Sequence, residues 1–202
     1  MATTAATTSY QFTVDDLAQM PDDGNRYEVI DGELYVTSAP HLAHQLAQGR
    51  LEQALRNWEE ATGSGMVVSG AGVIFAFNAG VIPDLMWISE ERLPIVLINP
   101  ETGEQDGKLH DAPDLTVEVL SPGRENQERD RQIKLALYSR RGVREYWLVD
   151  RFARRVEIYR REQAALILVA TLLSGDTLAS PMLPGFSMPI EQIFRLPKAM
   201  QP

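Results

Sequence analysis

Two acids stand in apolar, strand-like surroundings. Asp84 lies in VIPDLMWI and shares one face of that run with Ile82, Met86 and Ile88. Glu118 lies in APDLTVEVLSPG, where Leu115, Val117 and Val119 alternate with Thr116, Glu118 and Leu120 at the period of two of a β-strand. A carboxylate there is costly unless it reaches water, a partner charge or a cation. Two such groups on neighbouring strands repel, and one takes up a proton at raised pKa unless a divalent cation stands between them. Oxygen-only ligands favour Mg²⁺ or Mn²⁺ over zinc. Such a cation polarises a phosphoryl oxygen and lowers the pKa of a bound water. A nearby lysine would orient that water or neutralise developing negative charge. The chemistry these residues suggest is metal-assisted phosphate-ester hydrolysis; the competing reading makes both acids structural members of ion pairs.

The elements that must position them follow from the pattern of the chain. FTVDDLAQM, behind Thr13 as N-cap, reads as a short helix stopped by Pro21 to Gly24. RYEVI and ELYVTS flank Asp31-Gly32, a two-residue hairpin signal. His41 to about Thr62 carries Leu42, Leu46, Leu51, Leu55 and Trp58 near helical spacing and ends at Gly63. MVVSGAGVIFAF is β-like with glycines that suggest a bend, and VIPDLMWIS reads as a further strand. Residues 91–112 form a long connection, NQERDRQIKLALYSRR a helix stopped by Gly142, and VREYWLVD a strand. RRVEIYRR and ALILVATLL make a last hairpin before the loop and helical turn of PMLPGFSMPIEQIF. The order predicts an α/β core with one mixed sheet and added hairpins at both ends.

Composition narrows the function classes. The 202 residues are 44% hydrophobic and 23% charged, which suits one globular domain. No apolar run is long enough to span a bilayer, and MATTAATTSY is no signal peptide, so the expectation is a cytoplasmic chain with no membrane partner. Without Cys there is no disulfide and no thiolate metal site. A net charge of −9 argues against holding nucleic acid by bulk electrostatics, although Lys and Arg concentrate between Arg124 and Arg161. His41 and His44 lack a third ligand, which argues against zinc. Gly63-Ser64-Gly65 and Gly70-Ala71-Gly72 lack the Lys-Ser/Thr ending of a phosphate loop and read as turns.

Together RYEVIDGELYV, VIPDLMWIS, APDLTVEVLSPG, RDRQIKLALYSRRGVREYWLVD and TLLSGDTLASPMLPGF resemble the Uma2 family, of the PD-(D/E)xK restriction-endonuclease-like superfamily. The resemblance runs from about Phe12 to Phe194. It implies a restriction-endonuclease-like core: a central mixed β-sheet flanked by helices, plus N- and C-terminal β-hairpins. Asp84 then matches the first acid of the motif and Glu118 the second, with the backbone carbonyl of Val119 as an additional metal ligand. The motif lysine is missing, because Leu120 stands two residues after Glu118. Lys134, the only lysine on the following helix, is the candidate replacement; Ile133 and Leu137 mark that helix's buried face. Arg131 is the alternative cation, and a poorer base. Glu28 is either a supporting acid or a surface hairpin residue, and His44 either lines the cleft or lies at the helix surface. Glu33 and Asp114 read as hairpin and turn residues.

The expectation is a Mg²⁺- or Mn²⁺-dependent DNA endonuclease with Asp84, Glu118 and Lys134 catalytic. The expected layout is a disordered tail over residues 1–9, one domain over 10–196 and a tail over 197–202. A homodimer through the hairpins would suit cutting of two strands. Two alternatives stand: a non-catalytic binding or regulatory protein on the same fold, and a metal-dependent hydrolase of a small phosphate compound.

Overall fold

The computed structural model describes residues 10–198. The expected tail over residues 1–9 lies outside the described residues, as do residues 199–202 of the C-terminal one. Helix α1 (Val14–Leu17) leads into β1 (Arg26–Ile30) and β2 (Glu33–Thr37). Asp31 and Gly32 both take positive φ, 53° and 84°, as a type I′ hairpin turn demands. The long helix α2 (Leu42–Thr62) buries His44, Ala47, Gln48, Leu51, Leu55 and Trp58 on one stripe. It stops at Gly63, whose φ of 61° is left-handed.

The chain continues through β3 (Gly65–Ser69), β4 (Val73–Ala76), β5 (Ala79–Val81), β6 (Leu85–Ser89), α3 (Leu93–Val96) and β7 (Leu115–Val119). Helix α4 (Arg124–Glu128), a π-helical turn (Arg129–Lys134) and α5 (Leu135–Arg141) form one interrupted helix before β8 (Glu145–Asp150). Strands β9 (Arg155–Glu162), β10 (Ala165–Leu172), β11 (Thr177–Leu178) and β12 (Met188–Pro189) precede α6 (Ile190–Ile193).

The central sheet is six-stranded and mixed, in the order β10-β9-β8-β7-β6-β3, with β7 and β8 its parallel pair. The C-terminal hairpin β9–β10 continues this sheet to its edge. A four-stranded antiparallel sheet, β2-β1-β5-β4, carries the N-terminal hairpin. Alternation along β7 sorts two cores. Leu115, Val117 and Val119 join Leu51 and Leu55 of α2 and Trp147 of β8 on one face. Leu120 joins Leu137 and Tyr138 of α5 and Ile30 of β1 on the other. Burying each Leu stabilises the fold by roughly 1.5–3 kcal/mol relative to leaving it exposed.

Three expectations need correction. VIPDLMWIS is not one strand: β5 belongs to the four-stranded sheet and β6 to the six-stranded one. Pro83, which cannot donate to a ladder, stands in the break. MVVSGAGVIFAF bends at Gly70, φ 66°, as its glycines suggested, but its two arms, β3 and β4, join different sheets rather than one. The helix after β7 is interrupted by the π-turn, one extra residue per turn that apolar spacing does not reveal.

Candidate active site

Antiparallel pairing of β6 with β7 sets Leu85 opposite Val117 and Met86 opposite Thr116. Carrying that register one residue further puts Asp84 across from Glu118. Both point to the face shared with the four-stranded sheet, and both are 2% exposed. They line a cleft of about 220 Å³ together with Arg26, His44, Val119 and Arg129. A larger hollow of about 580 Å³ between α2 and the C-terminal segment has no acid in its lining. Chemistry, not size, selects the smaller cleft.

Asp84 is held from three sides. Arg26 Nη1 donates to Oδ1 at 3.0 Å, and Oδ2 accepts from the Val119 amide at 2.9 Å and lies 3.0 Å from His44 Nε2. Gln48, one turn after His44, donates to the Asp84 carbonyl at 3.0 Å. Burial pushes the Asp84 carboxyl up, but His44, Arg26 and the Val119 amide outweigh it and hold the group well below the usual carboxylate range.

Glu118 sits in a different field. Its Oε1 accepts from Lys134 Nζ at 2.9 Å and from the Tyr138 hydroxyl at 2.6 Å. Lys134, 1% exposed, also contacts Glu28 Oε1 at 2.8 Å, and the Ile82 amide donates to that same oxygen at 2.8 Å. Glu28 Oε2 is buried without a partner. Burial raises Glu118 to about 7; Lys134 opposes the rise while Asp84, Asp130 and Glu28 add to it. Asp130, bound by Arg129 Nε at 3.1 Å, is likewise raised by burial. For Lys134, burial pulls downward but Glu118, Glu28 and Asp130 prevail, so its pKa is raised and it stays charged. Four carboxylates (Asp84, Glu118, Glu28, Asp130) thus meet three permanent cations (Arg26, Arg129, Lys134). The excess is negative.

The structure brings Asp84, Glu118, Lys134, Glu28 and His44 together. His44 and Glu28 are buried, at 3% and 0% exposure, where surface placement had been the competing reading. Val119 lines the cleft at the end of β7. Arg131 is elsewhere, paired with Asp150 at 2.6 Å and Glu157 at 2.9 Å. Asp114 is fully buried rather than a simple turn residue: it accepts from the Ser89 amide and Arg144, each at 2.8 Å. Arg26, Asp130 and Tyr138 were missed as site residues. Each had a signal, since Arg26 lies two residues from Glu28 on one strand face, and Asp130 and Tyr138 flank Lys134 by four residues. Among the described residues, no three acidic or histidine side chains form a ready-made metal cage.

A mixed central sheet with flanking helices and an added antiparallel sheet is the restriction-endonuclease-like class of fold. The chain belongs to the Uma2 family, whose model, described as "Putative restriction endonuclease", matches residues 14–191. The fold is similar to that of "a putative nuclease belonging to DUF820" from Anabaena variabilis ATCC 29413. The TM-score is 0.71 at 18% identity, over 91% of this chain and 97% of that one. At that identity the likeness is one of fold alone. A fainter likeness, TM-score 0.40 and 15% identity, covers 75% of this chain and 15% of the type IIG restriction endonuclease BpuSI. No curated protein matches the chain.

Proposed function

We propose that this chain is a Mg²⁺- or Mn²⁺-dependent nuclease that hydrolyses phosphodiester bonds in DNA, with residues 10–196 as the single unit carrying the site. The observation that carries the reading is the apposition of Asp84 and Glu118 beside the buried ammonium of Lys134. The donor set fits a hard divalent cation. It is all oxygen, its carboxylates outnumber its fixed cations by one, and Glu118, raised chiefly by burial and further by Asp84, Asp130 and Glu28, would ionise more readily beside a bound cation. Asp84 and Glu118, with the Val119 carbonyl, would hold the ion. When bound, it supplies Lewis-acid polarisation of a phosphoryl oxygen.

The protein's own groups do the rest. Lys134 places a fixed positive charge at the acids and offsets negative charge that develops on the phosphate. Glu28 and Tyr138 hold the ammonium and the Glu118 carboxylate in one geometry. The His44 and Val119 contacts fix the rotamer of Asp84. The narrow cleft and deep acids give one specific ground for a second reading, hydrolysis of a small phosphate compound.

The test is cleavage of plasmid and single-stranded DNA with Mg²⁺ or Mn²⁺, beside bis(p-nitrophenyl) phosphate as small substrate. The expected result is metal-dependent DNA cleavage that is absent in D84A and E118A. K134M should abolish cleavage while calorimetry finds that it still binds Mn²⁺ at least as tightly as wild type. Cleavage of the small ester alone would favour the second reading. Cleavage surviving in E118A would end the first.

A further inference from the structure

The turn after β8 displays a half-exposed aromatic ring. Phe152 is 50% exposed, yet its backbone is firmly held: its amide and that of Ala153 donate to Asp150 Oδ1 at 3.1 and 2.9 Å. Arg131 anchors that aspartate in turn at 2.6 Å. The Arg151 guanidinium lies over the ring, with Cζ 4.1 Å from its centroid. Arg151 Nε donates to the Leu120 carbonyl at 3.2 Å, tying the stacked pair to the chain that leaves β7.

Topology sets this pair beside the cleft. Strands β7 and β8 are parallel with Val119 opposite Val149, so both strands deliver their C-terminal ends to the same side. Ser121, next to the carbonyl that Arg151 holds, lines the cleft with Asp84 and Glu118. Phe152 follows the residue opposite Glu118 by four positions, the last two of them in the turn, which bounds the chain between them at about 13 Å. Exposed Arg124 begins the helix that follows the same loop.

We propose that Arg151 and Phe152 form a stacking platform for one base of an unpaired nucleic-acid strand whose backbone enters the cleft. The inference rests on the phosphodiesterase reading and narrows its substrate to unpaired strand. The chemistry is that of sequence-tolerant single-strand binding: an aromatic face accepts any base, and nearby guanidinium groups meet the phosphates. The site suits this strand better than a duplex, because acids 2% exposed in a cleft of about 220 Å³ are reached by a thin backbone. Bases inside a duplex are already stacked on both faces and have none free for the ring.

The experiment measures binding of fluorescein-labelled oligothymidylate by fluorescence anisotropy in EDTA, with its oligoadenylate duplex alongside. Full-length wild type, F152A, F152W and F77A are compared, Phe77 being an exposed ring on a turn of the four-stranded sheet. F152A should lose roughly 5- to 150-fold in single-strand affinity, the effect of one base–aromatic stack, with its melting temperature unchanged. F152W should retain the affinity, F77A should match wild type, and duplex affinity should not depend on residue 152. Undiminished affinity in F152A, an equal loss in F77A, or no single-strand binding by wild type overturns the platform. Cleavage in Mg²⁺ is scored separately. Phe152-dependent binding without cleavage would sink the nuclease reading and leave the platform standing. Cleavage indifferent to Phe152 would sink the platform alone.

Discussion

Arg26 occupies Asp84 Oδ1 at 3.0 Å, an oxygen that a metal ion on Asp84 would compete for. Binding a cation there therefore displaces a charged hydrogen bond worth about 1.5–3 kcal/mol. R26Q should raise Mn²⁺ affinity by roughly 10- to 150-fold in calorimetry, the span of that range, while lowering the melting temperature of the metal-free protein. Unchanged affinity would mean that the guanidinium and the metal do not compete. Glu118 makes a second prediction, in pH. Its folded pKa of about 7 lies above the ordinary glutamate value of 4.5, so folding favours its protonated form. That contribution is full below about pH 4.5 and is lost as pH rises toward 7. In EDTA, wild type should lose stability relative to E118Q across this window. Asp84 acts with the opposite sign: its depressed pKa gives stability at neutral pH that disappears in acid, below the ordinary aspartate value of 3.8. A melting-temperature difference between wild type and E118Q that stays flat from pH 4.5 to 7 would show that Glu118 remains ionised throughout.

The π-turn governs which side chains of the interrupted helix after β7 reach the acids. It presents Asp130 and Lys134 to the cluster while Tyr138 follows on α5. Deleting Gln132 would let the segment relax to α-helix and turn Arg129 and Asp130 by roughly 100° relative to Lys134. The variant should keep its far-UV circular dichroism, lose the hydrogen bond that Arg129 Nη1 donates to the Thr37 hydroxyl, and lose cleavage; full activity would make the turn incidental. The alternation of LTVEV sufficed to place Glu118 on one strand face, and Asp31-Gly32 sufficed for the hairpin. The extra π residue was not legible, because Ile133 and Leu137 keep an ordinary helical spacing across its end. The burial of His44 and Glu28 was hidden for another reason. It arises only when α2 and the four-stranded sheet close over β6 and β7, and a single strand pattern carries no record of what covers it.

At the scale of the molecule, the acids stand where two sheets meet. Asp84 lies in the break between β5 and β6, while Arg26 and Glu28 come from the four-stranded sheet and Glu118 from the six-stranded one. A cation shared by Asp84 and Glu118 should therefore raise the melting temperature by linkage, and E118Q should lose that rise. Thermal melts with and without Mn²⁺ read this directly; equal shifts in both proteins would place the ion elsewhere. The break at Pro83 has one more consequence. Proteins open in cooperative units of unequal free energy, and the two sheets of this chain are joined there by a few residues of irregular backbone. If the four-stranded sheet opens first, Arg26 and Glu28 depart while most backbone structure survives. Inactivation by urea should then precede the loss of ellipticity, leaving an intermediate range of denaturant in which the chain is largely structured and already inert.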